Sequence, residues 1–282
     1  MIHLRKKRTR SNEEKGMVLF LKHFNRIKNG CIDARSISGR KKSKSVGCFS
    51  LAVRVRAARR ELSRAPFSMP VPFKLFRGYR VPVGANEHWM EAAADRSLQP
   101  GDLVISSYPK NGTTWLQHIV FLLLGKGRAP RGMMQVIEAM PFPEQDGPCQ
   151  NSRPMAVKYH LPFRLTPLLE EARFLYVARN PKDTCVSYYH FLKKLPGYHI
   201  DSFDEFFDAF LTGEVPYGDH LEHVLEWREA ASLRPNVFFL TYEDLSKNRE
   251  DAIRRIARFL NVEAQDTFSG KPLNLLCTST SF

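Results

Sequence analysis

Between residues 86 and 260 the sequence alternates short β-rich runs with helical segments, and this alternation restricts the folds open to the chain. Residues 102–107 (DLVISS) and 173–178 (RFLYVA) have the composition of buried strands. Residues 114–124 place apolar side chains at helical spacing and stop at Gly125. Strands separated by helices form a mostly parallel sheet with helices on both faces. The sequence therefore predicts a three-layer α/β fold.

Further segments extend this pattern on both sides. We predict helices at residues 86–94, 180–194, 203–211, 221–231 and 250–260, and strands at residues 156–158 and 236–242. Four prolines between residues 66 and 82 predict an extended segment, because each fixes φ and disfavours helix at the preceding residue. We therefore expect the folded domain to span residues 67–282.

The net charge of +14 is confined to the start of the chain. Residues 1–66 hold 19 of the 43 Lys and Arg but only 4 of the 29 Asp and Glu, so residues 67–282 are almost neutral, with 24 against 25. This composition is found in transit peptides, in nucleic-acid-binding tails and in disordered segments. We favour a disordered extension or a mispredicted start of the chain. Nucleic-acid binding is not expected, because the segment has no recognised domain or interleaved aromatic residues.

The cysteine pattern and the length of the apolar runs indicate the cellular compartment of the protein. The five cysteines are odd in number, widely spaced and without a CxxC pair, a pattern that disfavours a disulfide framework and a structural zinc site. The longest apolar runs, residues 17–21 and 119–124, are far shorter than the roughly 18 residues that cross a bilayer. We expect a cytoplasmic protein with no metal and no membrane partner.

Residues 107–115 (SYPKNGTTW) join a predicted strand to a predicted helix. Such a loop presents unpaired backbone N–H groups and the positive end of a helix dipole, which suits an anion. Gly112 permits close backbone approach, Thr113 and Thr114 add hydroxyl donors, and Lys110 adds charge. By itself the stretch fits a plain polar turn equally well. It is not a Walker A loop, since Lys110 precedes the glycine, and this disfavours a nucleotide kinase.

Two other strand ends carry candidate site residues. Arg179 precedes the Asn-Pro pair that opens a helix, and Ser187 lies farther along that helix, so the two form a second anion-site candidate. His160 follows the strand that contains Lys158. An imidazole with a near-neutral pKa suits removal of a proton, and Lys158 can stabilise charge on a group in transfer. All three strand ends are expected at one edge of the sheet.

These residues resemble the cytosolic sulfotransferase family from about residue 71 to residue 282. Five blocks carry the resemblance: SYPKNGTTW (107–115), KYHLP (158–162), YVARNPKDTCVSYYHF (176–191), GEVPYGDHLEHVLEW (213–227) and FLTYEDL (239–245). The resemblance implies a P-loop-NTPase-like sulfotransferase fold. It also implies transfer of a sulfuryl group from 3′-phosphoadenosine 5′-phosphosulfate to a hydroxyl or amine of a small phenol, steroid or amine.

The resemblance also implies roles for individual residues. His160, Lys110 and Lys158 would be catalytic, with His160 as the base of an in-line displacement. The co-substrate would contact Lys110, Asn111, Gly112, Thr113, Thr114, Trp115, Arg179, Ser187, Tyr242, Thr280, Ser281 and Phe282. Of these, the loop residues would hold the 5′-phosphosulfate, Arg179 and Ser187 the 3′-phosphate, and Trp115 and Tyr242 the adenine.

The sequence departs from the family at three places. Asn111 replaces the usual Ser, and Tyr159 stands where Thr or Ser is usual. After residues 280–282 (TSF), the family's basic glycine-rich loop and dimerisation motif do not follow, so we expect a C-terminally shortened domain, and a homodimer only through other contacts. The alternative is therefore a sulfotransferase-like nucleotide-binding protein with weak or no turnover. The acceptor itself is not determined by the sequence.

Overall fold

The computed structural model describes residues 71–149 and 154–262. The predicted N-terminal extension and the TSF segment lie outside these residues. Six strands are present among them: β1 (Phe73–Phe76), β2 (Tyr79–Pro82), β3 (Leu103–Ser106), β4 (Val157–Tyr159), β5 (Arg173–Ala178) and β6 (Val237–Thr241). The helices are α1 (Glu87–Ala94), α2 (Thr113–Leu124), α3 (Met133–Ala139), α4 (Pro143–Asp146), α5 (Pro181–Leu192), α6 (Phe203–Thr212), α7 (His220–Leu233), α8 (Tyr242–Lys247) and α9 (Arg249–Phe259), and Phe163–Leu165 form a 3-10 turn.

Four strands form a parallel sheet in the order β4-β3-β5-β6. Alternate residues of β5 face opposite layers, with Phe174 and Tyr176 in one apolar cluster and Leu175 and Val177 in the other. The first cluster includes side chains of α1, α5, α6 and α7, whereas the second includes those of α2, α3 and α9. The predicted three-layer α/β fold with a parallel sheet is thus confirmed.

The segment predicted to be simply extended contains an antiparallel hairpin instead. Strands β1 and β2 pair from Phe73–Pro82 to Phe76–Tyr79, and the turn places Arg77 at φ 47° and Gly78 at φ 75°. Positive φ at both central residues is the geometry of a tight hairpin turn. The Arg77-Gly78 pair is the sequence feature from which this turn could have been predicted. The hydroxyl of Tyr79 donates to the Tyr217 carbonyl oxygen, which ties the hairpin to the start of α7.

Helix boundaries follow from local capping. Asn86, predicted to begin the first helix, is its N-cap and accepts from the Trp89 N–H. Asn180 caps α5 in the same way, with Pro181 at the first helical position, as the sequence predicts. Helices α3, α4 and α8 were not predicted. Among the described residues no helix is long and apolar enough to cross a membrane.

The parallel arrangement brings the four strand ends to one edge of the sheet. Ser106, Tyr159, Ala178 and Thr241 end the strands there. Ligands of open α/β sheets bind outside this carboxyl edge. The loops that follow these four residues are therefore the expected location of a ligand-binding site.

Candidate functional site

The β3–α2 loop (residues 107–112) has a backbone that few side chains tolerate. Lys110 has φ 67° and Gly112 has φ 100°, both in the left-handed region. A Cβ on Gly112 would lie 2.7 Å from Cδ2 of Tyr242, closer than two carbons can approach. Glycine at this position therefore satisfies two demands, the backbone angle and the close approach of the Tyr242 ring.

Arg179 links the β3–α2 loop to the end of β5. Its Nη1 donates to the Lys110 carbonyl oxygen at 3.2 Å, and its guanidinium lies 4.4 Å from the centre of the Tyr242 ring. Its Nε is buried and makes no hydrogen bond within the part of the chain that the structure describes. A buried N–H donor without a hydrogen-bond partner destabilises the fold, so this guanidinium is available to donate to an acceptor group of a ligand. Ser187 lies on α5 and faces the same cavity.

His160 is a buried imidazole held in one orientation. Its Nδ1 lies 2.7 Å from the Ser107 carbonyl oxygen, and since a carbonyl only accepts, Nδ1 carries the proton. Its own carbonyl oxygen accepts from Nε2 of His223 at 3.0 Å. Burial, and then the charge of Lys158, hold the pKa of His160 well below its ordinary value. The ring is therefore neutral at physiological pH, with Nε2 as an acceptor.

A carboxyl group lies behind His160. Oε1 of Glu144 accepts from the backbone N–H groups of His160 at 2.5 Å and Leu161 at 3.1 Å. Burial raises the pKa of Glu144 to about 7, against the effect of these two backbone donors. Glu144 therefore fixes the segment that carries the imidazole and titrates close to neutral pH.

Two lysines near His160 have lowered pKa values. Burial lowers the pKa of Lys158 to about 8, against the opposing charge of Glu144, and its Nζ lies 4.1 Å from the centre of the Phe142 ring. Burial, and then the charge of Arg179, lower the pKa of Lys110. A buried ammonium group is less hydrated than one in water, so its electrostatic attraction to a nearby anion is stronger.

Tyr159 does not enter the site, although it is adjacent to His160. Its side chain is fully buried in the apolar cluster beneath the sheet, and its hydroxyl donates to the Ala93 carbonyl oxygen at 3.0 Å. Side chains of neighbouring strand residues point to opposite faces of the sheet, so those of Lys158 and Tyr159 lie on different faces. The departure at residue 159 therefore alters core packing rather than the cavity.

One cavity of ≈ 1080 Å³ unites the predicted site residues. It is lined by Lys110, Gly112, Thr113, Thr114, Trp115, Lys158, His160, Arg179, Ser187 and Tyr242. Asn111 is absent from this lining, because its side chain is fully buried beneath the β3–α2 loop. Thr280, Ser281 and Phe282 lie outside the described residues. Within residues 71–149 and 154–262, no group of three His, Cys, Asp or Glu side chains is arranged to hold a metal.

Sequence reasoning missed several residues of this cavity. Glu144 and Tyr217 both line it beside His160, and the Arg249 guanidinium lies 5.1 Å from the centre of the Trp115 ring. A lone carboxyl directly after the apolar run at 140–143 was the available signal for Glu144. Nothing local marked Arg249, whose place follows from the turn between α8 and α9.

The far wall of the cavity is apolar and aromatic. It includes Trp89, Phe142, Tyr198 and Tyr217, contributed by α1, the segment before α4, and the loops that follow α5 and α6. The Tyr198 hydroxyl accepts from the Val83 N–H at 3.2 Å, which joins the hairpin to this wall. Of the apolar residues 140–143, Phe142 lines the cavity. We call the part of the cavity lined by Lys110 and Arg179 the cationic end, and the part lined by Trp89, Phe142, Tyr198 and Tyr217 the aromatic end.

Comparison with known proteins gives a family from the sequence and a shared fold from the structure. A family model described as "Sulfotransferase domain" matches residues 100–282. Sulfotransferase 1A1 of Canis lupus familiaris is 35% identical over 212 residues, which cover 68% of each chain. Mouse sulfotransferase SULT7A1 complexed with PAP shares the fold, with a TM-score of 0.60, 24% identity and 74% of each chain covered. Retinol dehydratase in a complex with retinol and PAP has a TM-score of 0.55 and 25% identity, covering 73% of this chain and 71% of that chain.

Proposed function

The chain belongs to the sulfotransferase family, and from that premise we propose that it transfers a sulfuryl group from 3′-phosphoadenosine 5′-phosphosulfate to a hydroxyl or amine of a small acceptor. The observation that carries this proposal is the single cavity that holds Lys110, Arg179 and His160 together. Two cationic positions suit a nucleotide with two separated phosphates, and the imidazole suits deprotonation of an acceptor.

The co-substrate would lie along the cationic end of the cavity. The β3–α2 loop and the N-terminus of α2 would hold the 5′-phosphosulfate through backbone N–H groups, Thr113, Thr114 and Lys110. Arg179 and Ser187 would bind the 3′-phosphate. The unpartnered Nε of Arg179 supports this assignment. The PAP in the retinol dehydratase structure supports a co-substrate of this type. Trp115 and Tyr242, whose rings pack with centroids 5.1 Å apart, would contact the adenine.

The reaction would be an in-line displacement at sulfur. The acceptor oxygen or nitrogen attacks the sulfur, the bond from sulfur to the 5′-phosphate oxygen breaks, and Nε2 of His160 takes the acceptor's proton. Lys158 and Lys110 stabilise charge on the sulfuryl group and on the leaving phosphate. The charges come from side chains and helix ends already in the cavity.

The acceptor would occupy the aromatic end of the cavity. Trp89, Phe142 and Tyr217 give flat apolar surfaces, and Phe142 and Tyr217 contact the His160 ring with centroids 5.0 and 5.5 Å away. Such walls suit a phenol or a steroid-like acceptor that presents one polar group to the imidazole. Retinol in the retinol dehydratase structure is an acceptor-sized apolar molecule of this kind.

Titration calorimetry with adenosine 3′,5′-bisphosphate tests the co-substrate assignment. We expect saturable binding that weakens at least tenfold in Lys110→Ala and in Arg179→Ala. Lys182→Ala is the matched control, because Lys182 is an exposed cation on α5 outside the cavity. No binding by the wild type, or equal affinity in all four proteins, would refute the proposal.

Transfer of labelled sulfate to a panel of phenols, steroids and amines separates the enzyme from the alternative. Turnover that His160→Ala abolishes supports a sulfotransferase and identifies the acceptor class. Binding of the bisphosphate without turnover on any acceptor supports a sulfotransferase-like nucleotide-binding protein instead. The two outcomes are distinguishable because binding and transfer are measured separately.

A further inference from the structure

Asn111 joins three elements from a position beneath the β3–α2 loop. Its Oδ1 accepts from the Thr184 hydroxyl at 2.8 Å, and its Nδ2 lies 3.3 Å from Nε2 of His220. The exposed fractions of Asn111, Thr184 and His220 are 0%, 0% and 1%. The amide thus uses its acceptor and its donor in two separate bonds inside a dry interior, where each bond is worth more than at the surface.

The bond to Thr184 joins the two elements that would hold the two phosphates, the β3–α2 loop and α5. Thr184 lies on α5, three residues before Ser187 and hence on the same face of that helix. From above the loop, the Lys110 carbonyl oxygen accepts from Arg179, as described. The loop is therefore connected to the 3′-phosphate residues from both sides, once through its backbone and once through the Asn111 side chain.

The second partner of Asn111, His220, anchors the loop to the start of α7. His220 is the first residue of that helix, and its ring meets the Tyr108 ring edge-on with centroids 4.9 Å apart. Since the amide nitrogen of Asn111 only donates, Nε2 of His220 is the acceptor. A serine at residue 111 has a single short hydroxyl and cannot reach both partners. The change from the usual serine thus comes with a connection that serine cannot make.

Asn111 also lies between the two left-handed residues of the loop, Lys110 and Gly112. A left-handed backbone at a residue other than glycine, here Lys110, persists only where the surroundings enforce it. The buried amide supplies such enforcement at the centre of the loop. Its two bonds fix where the loop N–H groups stand relative to α5.

We propose that Asn111 is a positioning residue that, through Thr184 and His220, sets the distance between the 5′-phosphosulfate loop and the 3′-phosphate helix. The inference rests on the proposed function, since it assumes a co-substrate with both phosphates. Its consequence is specific. Loosening the connection weakens binding of a nucleotide that spans both positions, and leaves binding through one phosphate nearly unchanged.

The experiment compares three probes by titration calorimetry: adenosine 3′,5′-bisphosphate, adenosine 5′-monophosphate and adenosine 3′-monophosphate. For Asn111→Ala and Thr184→Val we expect the affinity for the bisphosphate to fall about tenfold, and the affinities for the monophosphates to change less than twofold. The double variant is expected to lose little more than Asn111→Ala alone, because Thr184→Val breaks one of the two bonds that Asn111→Ala already removes. Thr184→Val keeps the side-chain shape and so provides a folded test if Asn111→Ala does not fold.

Asn236→Ala is the matched control. Asn236 also joins separate elements, with its Nδ2 donating to the Leu169 and Ala172 carbonyl oxygens, but it precedes β6 at the opposite edge of the sheet. It should lower the melting temperature without changing the preference for the bisphosphate. Wild-type binding with an unchanged preference in Asn111→Ala and Thr184→Val overturns this inference alone. Absence of bisphosphate binding in the wild type overturns the proposed function, and the inference with it.

Discussion

Nδ1 of His160 donates to the carbonyl oxygen of Ser107 at 2.7 Å, across two neighbouring strand ends. This bond fixes the tautomer, because the proton resides on Nδ1 and the lone pair on Nε2. Ser107 begins the loop that presents Lys110. The imidazole and the β3–α2 loop are therefore set relative to each other by one backbone carbonyl.

Replacement of His160 should separate binding from chemistry. We expect His160→Ala to lower the rate of sulfuryl transfer about 10²- to 10⁴-fold, which is the usual contribution of a general base. Affinity for adenosine 3′,5′-bisphosphate should remain within about twofold, because in the proposed arrangement His160 contacts the acceptor rather than the nucleotide. Transfer kinetics and calorimetry check the two parts. His199→Ala, at an exposed histidine, is the control, and equal loss in both variants would contradict a catalytic role.

The pH profile should fall on its alkaline side as Lys158 loses its proton. The pKa of Lys158 is lowered to about 8, so the ammonium needed for charge stabilisation is lost as the pH rises through 8. Glu144→Gln removes the negative charge that opposes this lowering, and should move the alkaline limb to lower pH. Lys158→Arg keeps its charge throughout and should remove the limb if turnover persists. Profiles of kcat against pH for the wild type, Glu144→Gln and Lys158→Arg test this prediction. Identical alkaline limbs in all three would contradict the assignment of the limb to Lys158.

The acid side of the same profile reports on His160. Burial and Lys158 depress the pKa of this imidazole well below 6.5, so it stays an acceptor as the pH is lowered through that value. We therefore expect no loss of turnover between pH 7.5 and about pH 6.5 from protonation of the base. An acid limb centred at or above pH 6.5 that persists in Glu144→Gln would contradict this expectation, because Glu144, with a pKa of about 7, is the neighbouring group that titrates in this range.

Glu144 should make stability depend on pH with a defined sign. Its pKa rises from 4.5 to about 7 on folding, so the folded state favours the neutral acid. The stabilisation is complete below pH 4.5 and is lost as the pH rises through 7, a difference of about 3 kcal/mol. Glu144→Gln should therefore be more stable than the wild type at pH 8 by about 1–3 kcal/mol, with the difference shrinking towards pH 5. Urea unfolding at the two pH values measures this, with the exposed Glu138→Gln as control. A constant difference would contradict the prediction.

Gly112→Ala should cost both stability and co-substrate affinity. The new methyl group meets a φ of 100° and the Tyr242 ring at 2.7 Å. We expect a loss of about 1–3 kcal/mol in unfolding free energy from the backbone alone, and more from displacement of the ring. Gly101→Ala separates the two causes, since Gly101 has φ +88° with nothing within 4 Å of an added Cβ. If the two variants lose equal stability, the contact with Tyr242 contributes nothing.

Local pattern predicted the elements well where packing agrees with composition. Strand β5 begins and ends at the predicted residues, and the predicted helices end within a few residues of their observed bounds. The hairpin β1–β2 was missed because prolines masked its alternation. Helices α3, α4 and α8 are short, and short helices depend on tertiary packing more than on propensity.

The sequence by itself determined the parallel α/β layout and the residues whose chemistry suits the cavity, because periodicity, capping and turn residues are local properties. Only the tertiary structure decided where side chains in the loops point. Glu144 supports the His160 backbone from 16 residues away, and Asn111 turns away from the cavity to meet His220, 109 residues farther along the chain. Contacts over such separations depend on which elements pack together, and no short window of sequence contains that information.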